Sequence, residues 1–530
     1  MSDAQQVPIT ITQNISNDEP VVVRPEERVA IIDLGSNTCK LILMAYQTDY
    51  SYRQVDELRQ VVRLAEGMGS ANILRADAFE RGINVLKNYH TYCQAAGISD
   101  IIATATSAVR DAKNGASFLA AAKEQAGLSP VILSGEEEAY YGVLAVANSL
   151  NVDNGFILDI GGGSAQLSEV KARNFVQGQS WPLGALRLTE QFFNHANNDP
   201  PKKKEIKALE KHIKTQLETI PENFATAETL VGMGGTIRNL AKIQQKRDDY
   251  CLDLKHSYKF QEAHLADIVD MLVEASTADR KNISGLSGDR ADIILAGAIV
   301  AREMLARSAA KAITISGQGV REGLFYSRFV EGDTHLLENM RQFSVVNLMR
   351  RYYNNVPHNE HVCKLALALF DGLTSLHGYG ESERELLAAA ALLHDIGMAV
   401  SYYDHHKHGF YLTMGTALPG YSHREQVVIG LLVRYHRKGT PNDEGYGGLL
   451  EADDMLRIHK LAALLRLAEY LERSKAQRVK DVRCHVSDDY VQLEVLAEDD
   501  IGIELHEARN RAGLFASAYD VRVDIIGVSA

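Results

Sequence analysis

One tryptophan, 11 prolines and five cysteines are a thin supply for 530 residues. Few prolines over long Ala/Leu-rich stretches predict much helix. The cysteines (Cys39, Cys93, Cys251, Cys363 and Cys484) are odd in number, scattered, and contain no Cys-x-x-Cys pair. That excludes a disulfide framework and reads as a reduced, cytoplasmic protein. No apolar run reaches ~18 residues, so no membrane span is expected, and the start shows no signal-peptide pattern. Positive charge is also short: 56 Lys and Arg against 69 Asp and Glu give a net charge of −13. Such a chain does not coat nucleic acid, and it would take a polyanion only in a local basic groove. What is present is ordinary globular composition, 45% hydrophobic and 24% charged. At ~150 residues per domain it predicts three or four domains. Residues 1–26 mix Gln, Asn, Pro and Glu and read as a flexible tail.

The strongest internal signal is a repeat. Val29-Ala-Ile-Ile-Asp33 feeds the turn Leu34-Gly35-Ser36-Asn37-Thr38 and returns as Leu41–Ala45. Gly155-Phe-Ile-Leu-Asp159 feeds Ile160-Gly161-Gly162-Gly163-Ser164 and returns as Ala165–Val170. Both read as strand, glycine turn, strand. The two aspartates, Asp33 and Asp159, lie about one domain apart in the chain, which predicts a duplicated α/β domain. Glycine turns let backbone N–H groups approach an anion, Ser and Thr add hydroxyl donors, and Asp at a strand end can hold a divalent cation.

More glycine-centred and hydroxyl-rich turns follow. They are Ala105-Thr-Ser-Ala-Val-Arg-Asp111, Ser134-Gly-Glu-Glu-Glu-Ala139, Leu183-Gly-Ala-Leu-Arg187, Gly232-Met-Gly-Gly-Thr236 and Ser316-Gly-Gln-Gly-Val-Arg-Glu-Gly323. With the two Asp-Gly turns, this ordered set resembles the exopolyphosphatase/guanosine pentaphosphate phosphohydrolase family of the actin-like ATPase superfamily, from about residue 28 to the C-terminus. The resemblance implies two actin-like (ribonuclease H-like) α/β domains with the active site between them. It implies hydrolysis of a terminal phosphoanhydride, with inorganic polyphosphate as substrate and guanosine pentaphosphate as the alternative.

It also assigns residues. Glu138, the last Glu before Ala at a helix start, matches the family's general base; the alignment leaves Glu137 as the alternative. Gly35, Ser36, Asn37, Thr38, Ser107, Arg110, Gly161, Gly162, Gly163, Ser164, Gly234 and Gly235 would bind phosphate. Asp33 and Asp159 would hold Mg²⁺ or Mn²⁺, with K⁺ as a further ion. Arg63, Arg110, Arg187 and Arg238 are candidate cations for a polyanion track, whereas Lys202-Lys203-Lys204 reads as a solvated helix start. The turn at Ser316 is expected to close the interface between the halves.

Ten of the 18 histidines fall between His358 and His459, in a Leu/Ala-rich, helical stretch. The adjacent pair His394-Asp395 resembles the metal-binding pattern of the HD-domain superfamily. The matching positions are His361, His394, Asp395 and, in place of the last Asp, Glu469; His408 and His436 would complete a second divalent metal site. Alternatively, His405, His406, Lys407 and His408, with Arg434, Arg437 and Lys438, line an anion channel. Beyond residue 475 the pattern alternates, predicting strands at 479–486 and 490–495, a helix near 507–519 and a strand at 521–526.

The predicted organisation is therefore a tail (1–26), actin-like α/β domains at 27–153 and 154–332, an all-α HD-like domain at 333–475, and a small α/β domain at 476–530. A soluble homodimer with no nucleic-acid partner is expected. Two rival readings are an HD-domain nucleotide phosphohydrolase with a sensory actin-like half, and a non-catalytic nucleotide-binding regulator.

Overall fold

A computed structural model describes residues 25–194, 198–352 and 355–529. The expected tail, except for its last two residues, lies outside them. The first apolar run forms β1 (Glu27–Leu34), which pairs antiparallel with β2 (Thr38–Gln47), and β3 (Ser51–Val61) completes a meander. β4 (Ile101–Ala105) and β5 (Val131–Ile132) join in parallel, giving the order β3-β2-β1-β4-β5. The second half repeats this arrangement. β6 (Gly155–Ile160), β7 (Ala165–Lys171) and β8 (Asn174–Trp181) form the meander, β9 (Leu230–Met233) adds in parallel, and β10 (Lys259–Gln261) flanks β11 (Ala312–Ile315). The order is β10-β11-β9-β6-β7-β8. Without the edge strand β10 it matches the first sheet, so the sequence repeat is also a topological repeat.

The two halves are not separate along the chain, because each lends the other a helix. The helix Gly135–Ala147 follows β5 but buries Val143 and Val146 against Ile157, Val170 and Val231 of the second sheet. The helix Val320–Phe329 follows β11 but buries Leu324, Phe325 and Phe329 against Val29, Ile31, Ile42 and Met44 of the first. The expected boundary at 153/154 thus divides the sheets but not the lobes. The two exchanged helices pack on each other, and Gly323 faces the Tyr141 carbonyl with no room for a Cβ. This is how the turn at Ser316 closes the interface.

Between Met340 and Leu471 every regular element among the described residues is a helix. β12 (Val479–Ser487) and β13 (Tyr490–Ala497) then pair antiparallel, and β14 (Arg522–Ser529) adds parallel to β13. The expected single helix is two, Gly502–Arg511 and Gly513–Tyr519. Leu365 and Leu461 of the helices share one core with Val491, Phe515 and Ile525 of the terminal segment. Among the described residues no helix is long and apolar enough to cross a membrane, and all five cysteines are free.

Gly323→Ala should cost about 1–3 kcal/mol, the usual price of overpacking a tight backbone contact. Calorimetry should show a lower unfolding midpoint, while Gly288→Ala, which points into open space, should leave it unchanged.

Candidate active site

Both Asp-Gly turns close with the same hydrogen bond. Gly35 N–H donates to the Thr38 carbonyl and Gly161 N–H to the Ser164 carbonyl, each at 3.0 Å. The turns face one another. A Cβ on Gly163 would lie 2.6 Å from Ser36 Oγ and 2.5 Å from Ser107 Oγ, and one on Gly162 would lie 3.2 Å from the Asn37 nitrogen. Ser36 Oγ and Ser107 Oγ are themselves hydrogen-bonded at 2.9 Å. Gly234, at φ +85°, opens the helix after β9 and leaves no room for a side chain beside the Asp159 carboxylate. The result is a narrow cleft lined by both turns, Asp33, Asp159, Ser107 and Glu138.

Glu138 and Glu137 have different tasks. Glu137 is exposed and spends its carboxylate on the helix cap: Ser134 N–H donates to it at 2.7 Å, and its own N–H donates to Ser134 Oγ at 3.1 Å. Glu138 is buried at the cleft. Arg110 Nη1 donates to its Oε1, and Gln166 Nε2 donates to its Oε2 at 3.0 Å and to Ser164 Oγ at 2.9 Å. Burial pushes the Glu138 carboxyl up to about 7, the charges of Asp33 and Asp159 push the same way, and Arg110 opposes them. A carboxyl poised near 7 with its orientation fixed suits a general base. Arg110 also donates to the Leu133 carbonyl at 2.7 Å. Its guanidinium therefore holds Glu138 in orientation at the cleft.

Burial raises the carboxyls of Asp33 and Asp159, against the opposing pull of Lys40 on both, of Arg321 on Asp33 and of Arg238 on Asp159. Asp33 Oδ1 has no hydrogen-bond partner. Two converging carboxylates with an unpartnered buried oxygen fit a hard divalent cation. Of the four expected track arginines, only Arg238 lines the cleft. Arg63 pairs with Asp292 at 2.7 Å, and Arg187 with Asp111 at 2.6 Å. Lys202, Lys203 and Lys204 are exposed at a helix start, as expected.

Three cleft residues escaped the sequence reading, Lys40, Gln166 and Arg290, and two more, Arg321 and Glu322, belong to the Ser316 turn that was expected to close the interface rather than to line the cleft. Of the three, Lys40 and Gln166 carried a signal. Lys40 pairs across the hairpin with Asp33, and Gln166 with Asp159, so they are equivalent positions of the repeat. Each lies two residues beyond a turn hydroxyl, Thr38 or Ser164, on the same strand face. Burial, with help from Arg238, Arg321 and Arg290, pushes the Lys40 amine down to about 7.

In the helical segment the structure brings together His394, Asp395, His436 and Glu469, as expected, but with different companions. The two groups of converging donors are His358, His394 and Glu469, and Asp395, His405 and His436. His361 is not in either; its Nε2 bonds the Val479 carbonyl at 2.8 Å. His408 is half-buried and also outside both. In each case the spacing pointed three residues too far along a helix, a displacement of about 4.5 Å.

Comparison with known proteins agrees with this geometry. Residues 44–331 match the Ppx/GppA phosphatase family, and residues 340–507 match domain III of Ppx/GppA phosphatases. A guanosine-5'-triphosphate,3'-diphosphate pyrophosphatase of Pseudoalteromonas atlantica is 27% identical over 461 residues, covering 84% of this chain and 87% of that protein. The crystal structure of the Aquifex aeolicus Ppx/GppA family member is 29% identical, with a TM-score of 0.50, over 57% of this chain and 98% of that one. An exopolyphosphatase structure from Cytophaga hutchinsonii shares the fold at 23% identity and a TM-score of 0.53, again over 57% of this chain and 98% of that one. With more than half its length matched, and a buried, oriented carboxylate facing two opposed glycine turns, the chain belongs to the Ppx/GppA phosphatase family.

Proposed function

We propose that the chain is an exopolyphosphatase, hydrolysing the terminal phosphoanhydride of inorganic polyphosphate to orthophosphate. The observation that carries this reading is Glu138, held by Arg110 and Gln166 against the opposed turns. The cleft wall supports a polyanion end. It offers Lys40, Arg238, Arg290 and Arg321 and, among the described residues, no aromatic side chain to stack a base. Guanosine pentaphosphate is the second reading, favoured by the Pseudoalteromonas relative.

In the proposed reaction the turn N–H groups and the hydroxyls of Ser36, Thr38 and Ser164 hold the terminal phosphate. Arg110 and Gln166 aim Glu138 at a water, and Glu138 takes its proton as the oxygen attacks phosphorus. The bridging P–O bond breaks, and its electron pair stays on the shortened chain, whose charge the cleft cations balance. Asp33 and Asp159 would hold Mg²⁺ or Mn²⁺, which supplies further charge neutralisation at the phosphoryl oxygens when bound.

Orthophosphate release from long-chain polyphosphate and from guanosine pentaphosphate, assayed in parallel with Mg²⁺, tests the proposal. Glu138→Gln should lose about 10²–10⁴-fold in kcat, and full activity in that variant would sink the assignment. A nucleotide-only activity would transfer it to the second reading.

The base must be ionised, so kcat/KM should rise with pH and level off above about 7, the value to which Glu138 is pushed. Gln166→Leu removes a donor that stabilises the carboxylate. The acid limb should then move to higher pH and kcat should fall by about tenfold or more; an unchanged pH profile would refute the role of Gln166.

Lys40→Met should raise KM for polyphosphate with a smaller effect on kcat, as steady-state assays would show.

A further inference from the structure

Five separate elements deliver six side chains to one point in the helical segment. His358 comes from the helix Val356–Gly372, and His394 and Asp395 from the end of Glu381–Leu393. His405 opens the helix His405–Gly415, His436 ends His423–Tyr435, and Glu469 lies in Asp454–Leu471. Gly397 permits this: a Cβ there would overlap the His405 carbonyl.

Three of the imidazoles are set the same way. His394 Nδ1 meets the Ala391 carbonyl at 2.7 Å, His436 Nδ1 the Val433 carbonyl at 2.7 Å, and His405 Nδ1 the Tyr402 carbonyl at 2.9 Å. A carbonyl fixes the proton on Nδ1 and turns the Nε2 lone pair inward, the arrangement of metal-ligating histidine. Glu469 Oε2 lies 3.1 Å from His394 Nε2 and 3.3 Å from His358 Nε2, yet none of these atoms makes a hydrogen bond of usable geometry. Ligand atoms about 2.1 Å from a shared ion stand about 3.0–3.4 Å apart, depending on coordination geometry. Asp395 reaches both groups: Oδ1 is 3.3 Å from His405 Nε2, and Oδ2 is 3.6 Å from His358 Nε2. Lys475 Nζ sits 2.7 Å from Asp395 Oδ2.

We propose that this is a dinuclear metal centre, with one cation held by His358, His394 and Glu469, a second by Asp395, His405 and His436, and Asp395 between them. Four imidazoles with two carboxylates select first-row transition cations such as Mn²⁺, Fe²⁺ or Zn²⁺ over Mg²⁺ or Ca²⁺. Sharing Asp395 gives one ion four protein donors and the other three, which leaves positions open on six-coordinate Mn²⁺ or Fe²⁺ and one on a tetrahedral second ion. With Lys475 beside Asp395 and Arg437 over the Tyr402 ring at 5.6 Å, those positions take a phosphate-type anion. The centre is independent of the cleft between the lobes.

The test uses full-length protein in the Asp33→Asn/Asp159→Asn background, stripped with chelator and reloaded with Mn²⁺. About two Mn²⁺ per chain should be retained, with imidazole ¹⁴N couplings in pulsed electron paramagnetic resonance. His405→Gln and His394→Gln should lose metal, whereas His361→Gln and His408→Gln should keep it. Inorganic phosphate should show Mn²⁺-dependent ³¹P broadening that Arg437→Ala weakens without loss of metal. Absence of retained Mn²⁺ or of ¹⁴N coupling in the parent protein would overturn the proposal whether or not the His variants fold, as would full retention in a folded His405→Gln. Absent ³¹P broadening would overturn the anion assignment. Because the parent background lacks the cleft aspartates, these outcomes are separate from the fate of the polyphosphate reading.

Discussion

Two turns of backbone meet with almost nothing between them, and the chemistry of the amino-terminal half follows from that contact. Gly162 and Gly163 let the second turn come against Ser36, Asn37 and Ser107. The same closeness buries two aspartates and a glutamate in one narrow space, where like charges and poor solvation hold carboxyls above their usual range. A ring of cations offsets them, and it suffers in turn: Lys40 is driven toward neutrality by burial and by its arginine neighbours. The cleft thus holds excess charge of both signs, a state that an incoming phosphate chain with its metal relieves.

Much of this was legible in the sequence, for identifiable reasons. The duplicated Asp-Gly turn is a local backbone requirement, so it survives as a readable string, and both copies form the hairpins and sheet order it implies. The choice between Glu137 and Glu138 was not legible, because adjacent carboxylates at a helix start differ only in which one the cap consumes. Here the cap consumes Glu137. Arg290 carries no local mark, since tertiary packing alone brings it to the cleft, whereas Arg321 and Glu322 sit in the readable Ser316 turn, whose string does not tell that it reaches the cleft as well as the interface. Lys40 and Gln166 were legible in principle, as matching positions of the repeat; their difference in type concealed their common placement.

The carboxyl-terminal half shows the limit of spacing arguments on helices. His358 and His361, or His405 and His408, are neighbours on one helix, and only the direction of the inner face tells them apart. The backbone carbonyls settle it: His361 is bonded to Val479, whereas His405 turns Nε2 toward His436 at 3.2 Å. The terminal strands are no independent cap. Val491, Phe515 and Ile525 complete the core of the helices that carry the histidines.

The exchange of helices between the lobes has a consequence for synthesis on the ribosome. The inner face of β1 and β2, including Val29, Ile31, Ile42 and Met44, is covered by Leu324, Phe325 and Phe329. Some 300 residues separate Val29 from Phe329, by subtraction of their numbers. At about 5–20 residues per second the strand face waits about 15–60 s for its cover. Through that interval the nascent chain carries an apolar sheet face that lacks most of its cover, with only Leu144 and its neighbours Tyr140 and Tyr141 made in time to pack on it. Vectorial folding, one lobe after the other, is closed to this architecture.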